Sequence, residues 1–179
     1  MVDTTPDFSL VRSFLGGDIS AFNVLAARYQ QKIYWHARRM SGSHLDADDI
    51  MQEVLMTMFE KFHTFKFNSS VYTWIYKITA TRSINFLKRK KIKSFFSFDD
   101  VQSENLRAND NVADQYEIKE KMEKLDAVLQ KLPDRQREVF LLRNFESLGY
   151  DEISEITGVS VGSLKASYFH ALEKINKWM

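Results

Sequence analysis

Residues 148–175 have the sequence LGYDEISEITGVSVGSLKASYFHALEKI, and this stretch decides the fold. It predicts a short helix at 151–157, followed by Gly158 at a point where the chain must turn with positive φ. Ser160 can cap a longer second helix that begins at Val161. A short helix, a glycine turn and a capped longer helix together predict a helix-turn-helix.

The second helix of this motif has an apolar face and a polar stripe beside it. The apolar face consists of Leu164, Tyr168, Ala171 and Ile175. The polar stripe consists of Ser163, Ser167, His170 and Lys174. Such a stripe could lie in the major groove of DNA. Because so short a pattern also arises by chance, its meaning depends on the rest of the chain.

Two further helices and a polar segment precede the motif. Met122, Leu125, Leu129 and Leu132 form one helical stripe, which Pro133 stops, and a second helix is predicted at 135–145. Residues 94–115, SFFSFDDVQSENLRANDNVADQ, are polar and predict a flexible linker. The chain is therefore predicted to be all-α, with two small helical domains at 1–93 and 116–179.

Residues 61–93 carry nine Lys or Arg residues and no Asp or Glu, although the formal net charge of the chain is only +1. Aromatic residues run through the same segment. Rings that stack on unpaired bases and cations that neutralise phosphates are typical of proteins that hold single strands. The alternative is a solvated basic face beside an ordinary core.

The segment before it, residues 44–60, is acidic and contains no Lys or Arg. Near-helical spacing predicts a buried face made of Leu45, Ile50, Val54, Met58 and Phe62. That face leaves four polar side chains free to contact a partner: Asp48, Asp49, Gln52 and Glu53. For Asp46 and Asp48, capping of the helix is the structural alternative.

Composition excludes several kinds of site. The chain has no cysteine, and its four histidines show no ligand spacing with nearby acids, so neither a metal nor a cofactor is predicted. No apolar run approaches the roughly 18 residues that span a bilayer, and the N-terminus lacks the pattern of a signal peptide. We expect a cytoplasmic protein without membrane insertion.

Taken together, these segments resemble a bacterial sigma factor of the extracytoplasmic-function group of the sigma-70 family. DADDIMQEVLMTMFEKFHTF (46–65) resembles the helix that docks on the β′ clamp helices of core RNA polymerase. VYTWIYKITATRSINFLKRKK (71–91) resembles the helix that captures and melts the minus-ten element. Residues 132–175 resemble the domain that reads the minus-thirty-five element and meets the β flap.

The resemblance implies site residues as well as a fold. The polymerase-binding residues would be Asp48, Asp49, Gln52 and Glu53. The residues that bind the minus-ten element would be Lys66, Asn68, Ser69, Tyr72, Trp74, Lys77, Thr81, Arg82, Asn85, Lys88 and Arg89. Those that bind the minus-thirty-five element would be Ser160, Ser163, Lys165, Ser167, His170 and Lys174.

The chain departs from the family pattern at three of these positions. Many relatives have Asn where this chain has Thr81, and relatives often carry Arg at the positions of Ser167 and His170. The segment 116–179 holds ten Lys or Arg residues against eleven Asp or Glu residues. Since phosphate neutralisation supplies most non-specific DNA binding, we expect this segment alone to bind DNA poorly.

The predicted function is therefore promoter-specific initiation by a sigma factor, which involves binding and no bond chemistry. The partners implied are core RNA polymerase, promoter DNA in double-stranded and melted form, and an anti-sigma factor. The acidic linker would thread toward the polymerase active site, either as a mimic of a nucleic-acid strand or as a solvated tether.

The sequence is also compatible with two other classes of protein. One is a helix-turn-helix regulator that acts without replacing the primary sigma factor, although no dimerisation helix is recognisable. The other is a nucleic-acid enzyme, but the acids that could hold Mg²⁺ lie away from the basic surface.

Overall fold

The computed structural model describes residues 5–96 and 113–179, and every regular element in these ranges is helical. The all-α prediction is confirmed. The α-helices are α1 (Asp7–Leu15), α2 (Ile19–Ser41), α3 (His44–Lys61), α4 (Val71–Phe96), α5 (Ala113–Gln130), α6 (Asp134–Asn144), α7 (Tyr150–Thr157) and α8 (Val161–Trp178). A 3₁₀ turn, Phe62–Thr64, joins α3 to the loop before α4.

Helices α1 to α4 form an N-terminal bundle around one apolar core. Asp18 caps α2 by accepting a hydrogen bond from the amide of Ser20, and Ser43 caps α3 by accepting one from the amide of Asp46. Between α2 and α3 the chain turns at Gly42, whose φ of 77° favours glycine. These caps and this turn place α2 and α3 side by side, with α4 packed against both.

The helix-turn-helix in the C-terminal half is confirmed. Gly158 has a φ of 70°, and the Ser160 side chain accepts a hydrogen bond from the amide of Ser163 at the start of α8. Ile153 and Ile156 are buried, as are Leu164, Ala171 and Ile175 on the apolar face of α8. Tyr168 is half-buried and packs against the same core.

The two halves share core residues, which the sequence did not predict. One apolar cluster joins Met40, Ile84 and Leu87 to α5, α6 and α8, and a second joins Tyr76 and Ala80 to α6, α7 and α8. We call this interface the seam. Of the predicted linker 94–115, residues 94–96 end α4 and residues 113–115 begin α5; the remainder lies outside the described residues.

A buried arginine fixes the turn between α5 and α6 against the N-terminal bundle. The Arg137 guanidinium donates hydrogen bonds to the carbonyl oxygens of Leu129 at 2.8 Å and Leu132 at 3.1 Å. It also donates to the carbonyl oxygen of Met40, at the end of α2. Gln130 accepts two more hydrogen bonds from this guanidinium, one at its side-chain oxygen at 2.9 Å and one at its backbone carbonyl oxygen at 3.0 Å. Because a buried charge without partners is costly, these acceptors stabilise the guanidinium, and the Met40 oxygen among them ties the turn between α5 and α6 to the end of α2.

His36 lies in the core beneath α4, 2% exposed, with its ring edge-on to Tyr76 at 5.7 Å. Both ring nitrogens lack a hydrogen-bond partner. Burial, and to a smaller extent the charge of Arg39, lowers the pKa of His36 to about 4. The folded protein therefore holds this imidazole neutral, whereas an exposed histidine has a pKa of about 6.5.

This difference predicts a pH-dependent loss of stability that His36→Phe should remove. As the pH falls below about 6.5 the unfolded chain takes up a proton that folded His36 does not, so the free energy of unfolding decreases, by up to about 3 kcal/mol near pH 4. Urea unfolding of both proteins between pH 7 and pH 5 measures the part of this decrease expected by pH 5, about 2 kcal/mol. Glu138, whose pKa burial raises to about 7, acts in the opposite direction but equally in both proteins. If the free energy of unfolding depended on pH in the same way in the wild-type chain and in His36→Phe, His36 would not be the group responsible.

Candidate functional site

The solvent-facing side of α4 carries a cationic stripe. Lys77, Thr81, Asn85 and Lys88 are exposed and follow one another at helical spacing along one side of the helix. Arg82, also predicted to bind the minus-ten element, is half-buried beside this stripe. Among the described residues, Lys77 and Lys88 make no ion pair. The stripe can therefore offer its charges to a polyanion.

The aromatic residues predicted to stack on bases are less accessible. Trp74 is half-buried, and its ring stacks on Phe62 with 4.7 Å between centroids. Tyr72 stacks on Tyr76 at 4.5 Å, and its hydroxyl donates to a carboxylate oxygen of Glu146 at 2.8 Å. Burial and this contact with Glu146 raise the pKa of Tyr72. Both rings thus have intramolecular partners in this state.

The loop before α4, residues 65–70, is positioned by a helix cap and by packing of an aromatic ring. Ser70 caps α4 by accepting a hydrogen bond from the amide of Thr73 at 2.9 Å. Phe67, with a φ of 58°, packs on Phe65 at 4.9 Å, and the Arg12 guanidinium lies 5.4 Å from its ring. The polar loop residues are Lys66 and Asn68, which are exposed, and Ser69, which is half-buried. Arg12 adds a cation from α1 that the sequence analysis missed, because α1 lies far from the loop along the chain.

The acidic residues of α3 do not all face solvent. Asp48, Asp49 and Gln52 are exposed, but Glu53 is half-buried and pairs with Arg89 at 2.6 Å. One predicted polymerase-binding residue thus neutralises one predicted DNA-binding residue. Asp46 likewise pairs with Lys90 of α4. The N-cap of α3 is Ser43, and Asp46 lies in the first turn of the helix, where the helix dipole favours an acid.

The prediction for Leu45 is wrong. Ile50, Val54, Met58 and Phe62 are fully buried, but Leu45 is 73% exposed. Ala47 occupies the buried face at the start of α3, since it precedes Ile50 by three residues, whereas Leu45 lies on the other side.

Leu45 belongs instead to an exposed stripe that mixes apolar and polar side chains. Its members alternate at spacings of four and three residues: Leu45, Asp49, Gln52, Met56 and Phe59. Met56 is 63% exposed and Phe59 is 47% exposed. Alternating spacings of four and three are those of a helix that packs along another helix. The exposure of Leu45 and Met56 could not be read from the sequence alone.

In the helix-turn-helix, the predicted groove-reading residues fall on the outer side of α8. Ser163, Lys165 and His170 are exposed, whereas Ser167 and Lys174 are half-buried. Several of them are already engaged. Ser160 bonds to Ser163 at 3.0 Å, His170 contacts Glu173 at 3.2 Å, and Lys174 donates to Gln136 at 2.9 Å. Lys165 lies 5.7 Å from the ring of Tyr150 and has no acidic partner in the described structure.

Within the described ranges, no group of three or more His, Asp or Glu side chains converges as metal ligands would. Nor is any described helix long and apolar enough to cross a membrane.

Two family models match the chain. Residues 25–92 match Sigma-70 region 2, and residues 122–175 match Sigma-70, region 4, so together the matches cover most of the chain. The first match contains α3 and the cationic stripe of α4, and the second contains the helix-turn-helix.

Relatives of similar length support these matches. The ECF RNA polymerase sigma-E factor of Haemophilus influenzae is 28% identical over 98% of this chain and 96% of its own. The RNA polymerase sigma-H factor of Pseudomonas aeruginosa is 27% identical over 99% of this chain and 95% of its own.

Solved structures show the same fold. CnrH in complex with the cytosolic domain of CnrY has a TM-score of 0.69 at 19% identity, covering 96% of this chain and 95% of that one. The sigma factor RpoE of Bartonella quintana, in complex with the anti-sigma factor NepR, has a TM-score of 0.69 at 18% identity and covers 88% and 95%.

The cationic stripe predicts binding of single-stranded DNA. Lys77→Ala with Lys88→Ala should weaken binding of a labelled single-stranded oligonucleotide and lower the slope of log affinity against log salt by about 1.4, since each lost phosphate contact accounts for about 0.7. Fluorescence anisotropy at several salt concentrations measures both. Lys124→Ala with Lys131→Ala removes two exposed charges elsewhere and should change neither. If the slope of log affinity against log salt were unchanged in Lys77→Ala with Lys88→Ala, these two lysines would not contact DNA phosphates.

Proposed function

The chain belongs to the sigma-70 family. From this premise we propose which of its surfaces bind core RNA polymerase and which bind the two promoter elements. A sigma factor binds core RNA polymerase and directs promoter-specific transcription initiation. The observation that carries this assignment is that both family regions are present, in order, over 25–92 and 122–175. The second region alone would equally fit a regulator that leaves the primary sigma factor in place.

Docking on core polymerase is assigned to the exposed side of α3. Asp49 and Gln52 supply polar contacts on the exposed stripe, and Leu45 and Met56 supply apolar area on it. Asp48 is exposed beside the stripe and adds a further charge. The spacing of the stripe suits a helical partner such as the β′ clamp helices. Glu53 takes part after release from Arg89, or supports the surface by holding α4 in place.

The minus-ten element is assigned to α4 and the loop before it. Lys66, Lys77 and Lys88 provide charge for the phosphates, and Thr81 and Asn85 provide hydrogen-bonding groups between them. Tyr72 and Trp74 offer the rings on which unpaired bases can stack. In the same way, α8 is assigned to the minus-thirty-five element and the surface around it to the β flap.

Other parts of the assignment are also proposals. The sigma-70 family is not a class of enzymes, and we assign no catalytic activity or cofactor to this chain. Its work would be cytoplasmic, where polymerase and promoter DNA are found. An anti-sigma factor is proposed as a partner because one solved protein with this fold, the sigma factor RpoE of Bartonella quintana, is in complex with the anti-sigma factor NepR. Residues 97–112, which make up most of the acidic linker, lie outside the described ranges, and the role of the linker stays a prediction.

The docking assignment predicts that Asp48→Lys with Asp49→Lys abolishes co-purification with core polymerase. The fold should persist, because exposed charges rarely change the free energy of unfolding by more than about 0.5 kcal/mol. Glu53 stays unchanged in this variant, since it pairs with Arg89.

A second docking variant and a control variant accompany this test. Leu45→Ser with Met56→Ser should also weaken docking, because it removes the apolar part of the stripe. Glu123→Lys with Glu155→Lys reverses two exposed charges in the C-terminal half and should leave docking intact. Normal co-purification of the aspartate variant would refute the docking surface.

The minus-thirty-five assignment predicts opposite effects of two changes in α8. Lys165→Ala should weaken holoenzyme binding to promoters and lower the salt slope by about one phosphate contact, whereas Ser167→Arg should raise both. Neither should change the ratio of affinities between an intact and a scrambled minus-thirty-five element by much. Binding titrations at two salt concentrations decide this, and a collapse of that ratio in Lys165→Ala would show that Lys165 reads bases.

A further inference from the structure

Helix α1 packs against the loop before α4, although α1 precedes the part of the chain that matches Sigma-70 region 2. The ring of Phe8 lies 6.1 Å from the ring of Phe65 and 5.8 Å from that of Phe67. One turn further along α1, the Arg12 guanidinium lies over the Phe67 ring, 5.4 Å from its centroid. Two side chains of α1, four residues apart on one face of the helix, therefore contact Phe67.

Buried and polar contacts hold α1 in this position. Val11 is fully buried in the core of the N-terminal bundle. The Asp7 carboxylate accepts hydrogen bonds from the Arg28 guanidinium and from the Tyr29 hydroxyl, both on α2. Arg12 thus projects from a helix that is packed on its neighbour, which is the arrangement that holds a binding side chain in a defined place.

The Arg12 guanidinium is open to a ligand. Arg12 is exposed, and its side chain has neither an acidic partner nor a hydrogen-bond acceptor among the described residues. Asp7, the acid of α1, pairs with Arg28 instead. Lys66, which adjoins Phe67 in the loop, is also exposed and makes no ion pair within the described part of the chain. An arginine that stacks on a ring still presents N–H groups in a planar fork, which matches the geometry of a phosphate.

We propose that Arg12 binds a phosphate of the unpaired DNA strand at the loop 65–70, and that Phe67 is the ring that positions its guanidinium. The inference rests on the proposed assignment of this loop to the minus-ten element, and it extends that site to α1. Because a phosphate carries no sequence information, Arg12 adds affinity and fixes the path of the strand, while base choice stays with the loop and α4.

The salt dependence of binding tests the phosphate contact. Arg12→Ala should weaken binding of the full chain to a labelled single-stranded oligonucleotide of mixed sequence, and lower the slope of log affinity against log salt by about 0.7. The advantage of the wild type should therefore shrink about 2.6-fold between 50 and 200 mM salt. Arg12→Lys keeps the charge and should keep the wild-type slope. Lys131→Ala removes one exposed charge between α5 and α6 and should change neither affinity nor slope.

The outcomes of these anisotropy titrations separate Arg12 from the rest of the site. Weaker binding of Arg12→Ala at an unchanged slope would overturn the phosphate contact, because a residue that only supports the loop releases no counterion. If Lys77→Ala with Lys88→Ala lowers the slope and Arg12→Ala does not, the assignment of α4 stands and the role of Arg12 fails. If the unmodified chain does not bind the oligonucleotide, both fail.

A double-mutant cycle tests the role of Phe67. Phe67→Leu removes the ring and keeps an apolar side chain, so the guanidinium loses the surface on which it stacks. Arg12→Ala should then weaken oligonucleotide binding by a smaller factor in the Phe67→Leu chain than in the wild type. Circular dichroism checks that each variant is folded at the assay temperature. Equal factors in the two backgrounds would show that Phe67 does not position Arg12.

A cross-link tests directly where the strand lies. Because the chain contains no cysteine, Arg12→Cys introduces a single thiol. An oligonucleotide that carries a bromoacetamide group on one phosphorothioate, at saturating protein concentration, should alkylate this thiol when the group is placed at one or two adjacent phosphates. Lys131→Cys, an exposed thiol elsewhere on the chain, should react little at every placement. A yield for Arg12→Cys no higher than that for Lys131→Cys would overturn the proposal.

Discussion

The burial of the apolar side of α4 is the constraint on which the rest of the structure depends. Helices α2 and α3 cover part of this helix, and α6 and α7 cover another part at the seam, which leaves one face open to solvent. That face carries Lys77 and Lys88 without acidic partners among the described residues. Packing thus leaves two cations, without acidic partners in the described ranges, on one exposed stripe of a chain whose net charge is +1. A polyanion is the partner such a stripe selects.

Several groups assigned to different partners neutralise one another in the free chain. Glu53 of α3, which is assigned to polymerase docking, pairs with Arg89 of α4, which is assigned to the minus-ten element, and Glu146 accepts a hydrogen bond from the hydroxyl of Tyr72. Arg89 is exposed, but Glu53 is half-buried and one of its carboxylate oxygens is buried without a hydrogen-bond partner, so exchanging Glu53 for phosphate at Arg89 leaves that carboxylate without its cation. The seam is held instead by apolar contacts, in which side chains such as Ile84 and Leu87 are buried from water.

The sequence predicted the helices and the helix-turn-helix because these depend on local signals, such as the glycine turn at Gly158 and the cap at Ser160. It also identified the charged segments, which need only composition. The prediction from sequence failed where packing between distant segments decides which side chains are buried. Leu45 was predicted to be buried, but Ala47 lies on the buried face instead. The seam was missed for the same reason: the apolar residues of α4 look alike whether they face their own bundle or the C-terminal half. Neither the pairing of Glu53 with Arg89 nor the exposure of Met56 has a local signature.

The most direct test of the central claim is transcription from genomic DNA of the encoding organism by core RNA polymerase, with and without this protein, followed by mapping of the transcript 5′ ends. The account predicts new start sites that depend on the protein and that share two upstream sequence elements at a constant spacing. Each element should lose its effect when its assigned helix, α4 or α8, is altered. Transcripts identical to those of core polymerase alone would contradict the account, as would new start sites that share only one element.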